Sequence, residues 1–381
     1  MTDDLDICLR DVRGIMRRGG HPGGSASTLR LLRAFRPELR ASDLVLSSKG
    51  HDAAAFLVDG VDRGELSERL LLEYRRVNGF PGHPERGVHG ALVSTGSLGM
   101  GLSKAVGLAA GNRARRVICI VGDGETQEGQ VWEACQMAAR LELGNLVVLL
   151  DHNGAQSECL PLPRPNVLQP EAIFKAAGWA VHPIDGRHYT IPEVDGLPLC
   201  VLVHSQKPNP HSLGQRSDLV AAYGVALRAA MRDDDRLVVL EADLAFDHGL
   251  DGLDGAFPGR VYHCGISEQN MVSMAVGLAA AGWHPVLHTF ERFFYRAAEQ
   301  VYDALREPGL VLRFVGGLAG RLPQGPGPSH ELDADQREAL FPCMTFTPLS
   351  TVDVSALVAL MLKQPRSTYL RLLAQPALGV T

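Results

Sequence analysis

At 381 residues and a formal net charge of −6, the chain is long enough for two domains. Its mild acidity, with no basic stripe, excludes nucleic acid as a partner. Apolar residues make up 45%, as buried sheets require, yet no run reaches the ~20 apolar residues that cross a bilayer. Seven scattered cysteines without paired spacing argue for reduced thiols and against a disulfide framework or a zinc site. The start Met1-Thr2-Asp3-Asp4 is no signal peptide, so a cytoplasmic protein is expected.

In chain order, residues 5–18 read as a short helix before a glycine-rich turn, Gly19 to Ser25, which carries His21. Asp43 to Ser47 is a short strand leading into Ser48-Lys49-Gly50-His51, and Gly82-His83-Pro84-Glu85 follows. Val93 to Gly101 is a small-residue loop opening a helix over Ser103 to Ala110. Val117 to Val121 is a buried strand, rich in β-branched residues, that ends in Gly122-Asp123-Gly124. Gln127 to Leu143 has helical spacing, and a second buried strand, Leu146 to Leu150, ends in Asp151-His152-Asn153-Gly154. Parallel strands joined by a helix place both C-terminal ends on one edge, where α/β sheets bind ligands. Asp123 and Asn153 are therefore expected to face one crevice. A carboxylate, an amide oxygen and a free carbonyl suit a hard cation such as Mg²⁺.

Residues 156–170 are a proline-rich loop, Glu171 to Ala177 a short helix, and Ala180 to Ile184 and Leu199 to Val203 later strands. Breakers over 208–215 mark a linker. A second α/β pattern follows, with a helix over Ser217 to Met231 and strands over Leu237 to Asp243, Arg260 to Cys264, Pro285 to Thr289 and Leu310 to Val315. A glycine/proline loop then runs to His330, and strands over Thr345 to Pro348 and Ser367 to Leu372 finish the sheet. The fold class expected is α/β with two doubly wound parallel sheets, over 1–207 and 216–381.

Gly-Asp-Gly followed 30 positions on by Asn153, across a strand–helix–strand pattern, resembles the signature of the transketolase family of thiamine diphosphate enzymes. The resemblance covers about residues 15–375. It implies that 1–207 binds the diphosphate, that 216–381 binds the pyrimidine, and that the family's third, C-terminal domain is absent or supplied by a separate chain. Asp123, Asn153 and the carbonyl of Ala155 match the ligands of Mg²⁺ (or Ca²⁺), and His152 stands where the family has an acidic residue or Asn. His21, His51 and His83 lie in segments similar to three family His motifs, with His51 near the diphosphate and His21 and His83 toward substrate. Thr95 to Gly101 resembles the family's Thr-Gly-x-Leu-Gly-x-Gly loop. Gly96 and Ser97 then contact the cofactor and Leu98 bends it, while Gly122, Gly124 and Glu128 belong to the diphosphate turn. In the second half, Asp243 ends a strand similar to the family's Ala-Asp-Leu, and Phe290 and Phe293 stand where aromatics surround the aminopyrimidine.

The resemblance gives Glu268, in Gly265-Ile266-Ser267-Glu268, the role of the carboxylate at N1′ of the pyrimidine. Burial there would perturb its pKa usefully. His21, His83 and His330 are the matching proton-moving histidines, and a homodimer with sites at the subunit interface is implied. His204 and His211 both lie where a further substrate His belongs; His211 is the candidate, with the choice left open. Departures fall on the substrate side. Pro326 replaces a hydroxyl-reading Asp, Asp247 replaces a phosphate-binding Ser, and Gly316, Gly317 and Leu318 cover the place of a phosphate His. Arg371 keeps a family Arg position, and Arg216 is a second candidate. The expected activity is ketol transfer from a ketose donor to an aldehyde acceptor, on a modified or unphosphorylated substrate. The alternatives are a 2-oxo acid decarboxylase or carboligase on the same scaffold, and a non-catalytic homologue.

Overall fold

The computed structural model describes residues 2–17, 19–76, 79–154, 156, 169–184, 188–205, 217–320 and 329–374. They form two units, one from the described residues within 1–214 and 324–329 and one from those within 215–323 and 330–381. The first runs α1 (Thr2–Ile15), α2 (Pro22–Phe35), β1 (Leu44–Ser47), α3 (Ala53–Asp62), α4 (Arg69–Glu73), α5 (Met100–Gly111), β2 (Val117–Gly122), α6 (Gly129–Arg140), β3 (Leu146–His152), α7 (Pro170–Ala176), β4 (Ala180–Ile184) and β5 (Leu199–His204). Its strands pair in parallel in the order β1-β2-β3-β5-β4.

The apolar runs at 117–121 and 146–150 are buried on both faces, as parallel strands must be. Alternate residues divide between two cores. Ile118, Ile120, Val147, Leu149, Val201 and Val203 pack with Leu29 of α2 and Leu57 of α3 on one face. Cys119, Val121, Val148, Leu150 and Leu202 pack with Leu102 of α5, Val131 of α6 and Phe174 of α7 on the other. Helices therefore cover both faces and the unit is doubly wound.

The largest departure from expectation is α2. Of the expected glycine-rich turn, Gly19 to His21 precede the helix, but Pro22 to Ser25 form its first turn, with Pro22, Gly23 and Gly24 all buried. Proline at a helix's first position loses an N–H that has no intrahelical partner anyway. Gly24 is required by packing: a Cβ there would lie 2.6 Å from Nε2 of His51.

The second unit runs α8 (Asp218–Asp233), β6 (Leu237–Glu241), α9 (Leu253–Ala256), β7 (Val261–His263), α10 (Glu268–Ala280), β8 (His284–Phe290), α11 (Ala298–Ala304), β9 (Arg313–Ala319), α12 (Ala334–Leu340), β10 (Met344–Phe346), α13 (Thr351–Lys363) and β11 (Thr368–Leu373). Its six strands are all parallel, in the order β10-β11-β9-β8-β6-β7. One face packs Val238, Leu240, Leu287, Phe314 and Tyr369 against Met271 of α10 and Val301 of α11. The alternate residues Val239, Val286, Val315 and Leu370 are buried on the other, where α8 and α13 pack together. Strand β9 runs past the expected end at Val315 because Gly316 and Gly317 stay in register with Thr289 and Phe290. Among the described residues no helix is long and apolar enough to cross a membrane.

Candidate functional site

In the first unit the loops after β1, β2 and β3 leave the same sheet edge, and a further loop, 93–99, folds onto them. A Cβ on Gly50, whose φ is +67°, would meet the backbone N of Gly96 at 2.5 Å. Only glycine lets the His51 loop close on the Gly96-Ser97-Leu98 loop this tightly. Three histidines gather there. His21 and His51 meet edge to face, 5.2 Å between ring centroids. His83 is buried, its Cδ2 is 3.3 Å from where a Cβ of Gly96 would stand, and Thr95 N donates to Pro84 O at 3.0 Å.

Glu125, which the sequence reading did not single out, clasps two of these loops. Its Oε1 accepts from Gly122 N at 2.8 Å and its Oε2 from Gly99 N at 3.0 Å. Glu128, which was singled out, is buried at the position before α6. Burial lifts the Glu125 carboxyl from 4.5 to about 7, against the pull of the two amide donors. A carboxyl raised on folding stabilises fully below its unfolded pKa and loses that contribution as pH rises through the folded value. Between about pH 5.5 and about pH 8 this group should cost the cofactor-free chain roughly 2 kcal/mol. Urea unfolding of wild type and Glu125→Gln at both pH values checks it. The variant loses one acceptor at every pH, so the difference between the two proteins should shrink as pH rises; a constant difference would refute the assignment.

Asp123 follows β2 and is buried. Its Oδ1 accepts from Gly124 N at 2.9 Å and its Oδ2 from Gly154 N at 2.7 Å, which ties the ends of β2 and β3 together. Burial first, and then the charge of Asp151, raise its carboxyl above the ordinary range. A buried carboxylate beside a second one is a place where a cation is favourable. Asn153 donates from Nδ2 to Asp151 Oδ2 at 3.3 Å, which fixes the direction of its amide. Ala155, the expected carbonyl ligand, lies outside the described residues, as do His211, Arg216 and Pro326. No group of three or more His, Cys, Asp or Glu among the described residues is placed to hold a metal alone. The donor set expected here, one carboxylate, one amide and one carbonyl, is oxygen-only and fits Mg²⁺.

Behind these loops sits a second feature missed in the sequence, a buried ion pair between Lys49 and Asp151. Ser27 and Ser205 also donate to Asp151, and Lys49 Nζ donates to Thr28 at 3.1 Å. The Lys49 ammonium holds the Asp151 carboxyl below its ordinary range despite full burial, which alone would raise it. His204 is exposed and meets the ring of His152 at 4.9 Å.

In the second unit Glu268 is the first residue of α10 and is buried. Its Oε2 has no hydrogen-bond partner among the described residues, with Arg296 Nε 3.9 Å away. Burial raises its carboxyl, while Arg296 pulls the other way. A helix-starting Glu that merely complements the helix dipole has no need of such burial. Phe290 and Phe293 lie 5.2 Å apart, and the ring of His330 is 5.2 Å from Phe293 and 6.5 Å from Phe290. Asp243 is buried with φ +59° just past β6, a left-handed conformation that is uncommon outside glycine and that aspartate tolerates better than most residues. Arg371 does not stand open: its Nε and Nη2 donate to Glu291 at 2.6 and 3.2 Å.

Residues 43–191 match the family model "Transketolase, thiamine diphosphate binding domain", and 216–375 match "Transketolase, pyrimidine binding domain". Transketolase-like protein 2 of Mus musculus is 26% identical over a 459-residue alignment that covers 94% of this chain and 73% of its own. The transketolases of Rattus norvegicus and Homo sapiens are each 28% identical over 365 residues, 74% of this chain and 59% of theirs. The chain thus spans about three fifths of the length of those two enzymes. With both models matched in order on two parallel-sheet units, the chain belongs to the transketolase family.

Proposed function

We propose that this protein is a thiamine diphosphate- and Mg²⁺-dependent transferase that moves a two-carbon ketol unit from a ketose donor to an aldehyde acceptor. The observation that carries the reading is Glu268, a buried carboxyl held above its ordinary range with one oxygen lacking a hydrogen-bond partner among the described residues. Such a group is suited to hold a proton on a ring nitrogen and is costly to keep otherwise. When bound, the cofactor supplies the electron sink that the chemistry needs. Asp123 and Asn153, with the carbonyl of Ala155, would hold the metal. The Gly96-Ser97-Leu98 and Gly122-Asp123-Gly124 loops would hold the diphosphate, with His51 beside it. Phe290, Phe293 and Asp243 would line the pyrimidine. His21, His83 and His330 would take and return protons on substrate oxygens, as neutral imidazoles do near working pH.

The working unit in this reading is a homodimer, in which Glu268 of one copy serves the diphosphate loops of another. The six described cysteines are free thiols, which suits a reducing, cytoplasmic setting. The acceptor is one without phosphate. Asp247 puts an anion where a phosphate would be held, and Pro326 cannot read a hydroxyl. Loss of a charge-assisted hydrogen bond costs roughly 1.5–3 kcal/mol, so ribose 5-phosphate should be poorer than an uncharged aldehyde by at least about tenfold in kcat/KM. The test is product analysis with Mg²⁺, thiamine diphosphate, ketose donors or 2-oxo acids, and both kinds of acceptor. Turnover of 2-oxo acids alone would move the assignment to a decarboxylase or carboligase. A phosphorylated acceptor winning by an order of magnitude would make it an ordinary sugar-phosphate transketolase.

A further inference from the structure

Arg371 is the cation that sequence places for an anionic substrate, and the fold gives its guanidinium to another residue. Glu291, the first residue after β8, reaches across β9 to β11. Its Oε1 accepts from Arg371 Nε at 2.6 Å and from Tyr369 Oη at 3.0 Å. Its Oε2 accepts from Arg371 Nη2 at 3.2 Å and from Gly320 N at 3.0 Å. Glu291 is 2% exposed and the Arg371 side chain 14%. The path across β9 is open because Gly316 carries no side chain. A Cβ on Gly316 would stand 2.2 Å from Tyr369 Oη and displace it from Glu291. The Nε–Nη2 edge is the fork by which arginine grips carboxylate or phosphate in two parallel bonds, and here it is already filled.

The same sheet edge carries Asp247. Its neighbour His248 is buried, with Nε2 3.1 Å from both Gly317 N and Thr289 O and Nδ1 2.9 Å from Leu244 O. Burial favours the neutral form of its imidazole, while the carbonyls of Leu244 and Thr289 pull the other way.

We infer that Glu291 is a specificity-determining residue that withholds Arg371 from anionic substrates, so that this edge accepts a neutral, hydroxyl-bearing end in place of a phosphate. The inference rests on the transferase reading above for the identity of the substrate, and on Glu291 alone for the mechanism of selection. A carboxylate that holds each of its oxygens in two bonds is a built competitor, and an incoming phosphate would have to displace it.

The test uses the full chain with Mg²⁺ and thiamine diphosphate, inorganic phosphate as the binding probe, and D-ribose against ribose 5-phosphate as acceptors. Glu291→Gln keeps one acceptor oxygen, enough for either Tyr369 or Gly320, and removes the competing charge. It should raise the ratio of kcat/KM for ribose 5-phosphate over D-ribose by about tenfold or more, and should bind inorganic phosphate where wild type does not. Adding Arg371→Met to that variant should abolish both gains. Unchanged phosphate affinity and acceptor ratio in Glu291→Gln would overturn the inference. So would phosphate binding by wild type that Arg371→Met removes, an arm that needs no folded Glu291 variant. If no ketose and aldehyde pair turns over in any protein, the transferase reading falls, and the phosphate titration still decides the role of Glu291.

Discussion

Replacing Glu268 by Gln should lower turnover by about 10²–10⁴-fold, the range over which a positioned proton-holding group contributes, with the fold intact. The amide is isosteric but cannot carry the charge that would hold a proton on a cofactor ring nitrogen. Stability should move the other way. Burial holds the Glu268 carboxyl above its ordinary range, so its folded-state contribution is present at low pH and lost as pH rises through the raised value. A neutral Gln escapes that loss, and the cofactor-free variant should unfold at equal or higher urea concentration than wild type near neutral pH. A Glu serving only the helix dipole predicts the reverse pattern, no loss of turnover and up to about 1 kcal/mol lost stability. Subunit mixing probes where the group acts. Glu268→Ala and Asp123→Ala proteins, each inactive, should regain part of the activity when mixed under exchange, because a mixed dimer holds one site with neither lesion. No recovery, with exchange confirmed by mass, would rule out a site shared between copies.

Asp123→Ala should abolish cofactor retention. The loss would combine the bridging cation with the two amide contacts, Gly124 N and Gly154 N, that hold the ends of β2 and β3 together. Asp123→Asn separates the two effects, since it keeps an acceptor and loses the charge. Equilibrium dialysis of thiamine diphosphate in Mg²⁺ should show affinity falling by about 10²-fold or more in both variants, beyond the 10–100-fold typical of residues that only support a metal ligand. The thermal shift that ligand gives wild type should vanish with it. Wild-type affinity in Asp123→Asn would remove this residue from the metal site.

Much of the fold was legible in the sequence, because the burial of a parallel strand and the spacing of its helix are local properties. The runs 117–121 and 146–150, their glycine-terminated ends, and Glu268 opening a helix after a strand all follow from neighbours within a few positions. Where the local signal misled, it was glycine. Gly23-Gly24 and Gly316-Gly317 read as breaks in structure, and both pairs lie inside regular elements, where the packing at Gly24, Gly316 and Gly317 leaves no room for a Cβ.

The sequence by itself determined the two α/β patterns and which segments carry candidate residues, since alternation and breakers record which face of the chain meets the core. Only the tertiary structure decided who pairs with whom. Lys49 finds Asp151 102 positions away and Arg371 finds Glu291 at 80, and nothing near either residue in the chain announces its partner. Strand order and register bring these groups together, and a buried charge is tolerated only once its counter-charge has arrived. The same lysine or arginine would read in sequence as free to bind a ligand. In the fold, one is spent holding the carboxylate behind the proposed metal site, and the other is held by a glutamate that sequence alone gave no reason to single out.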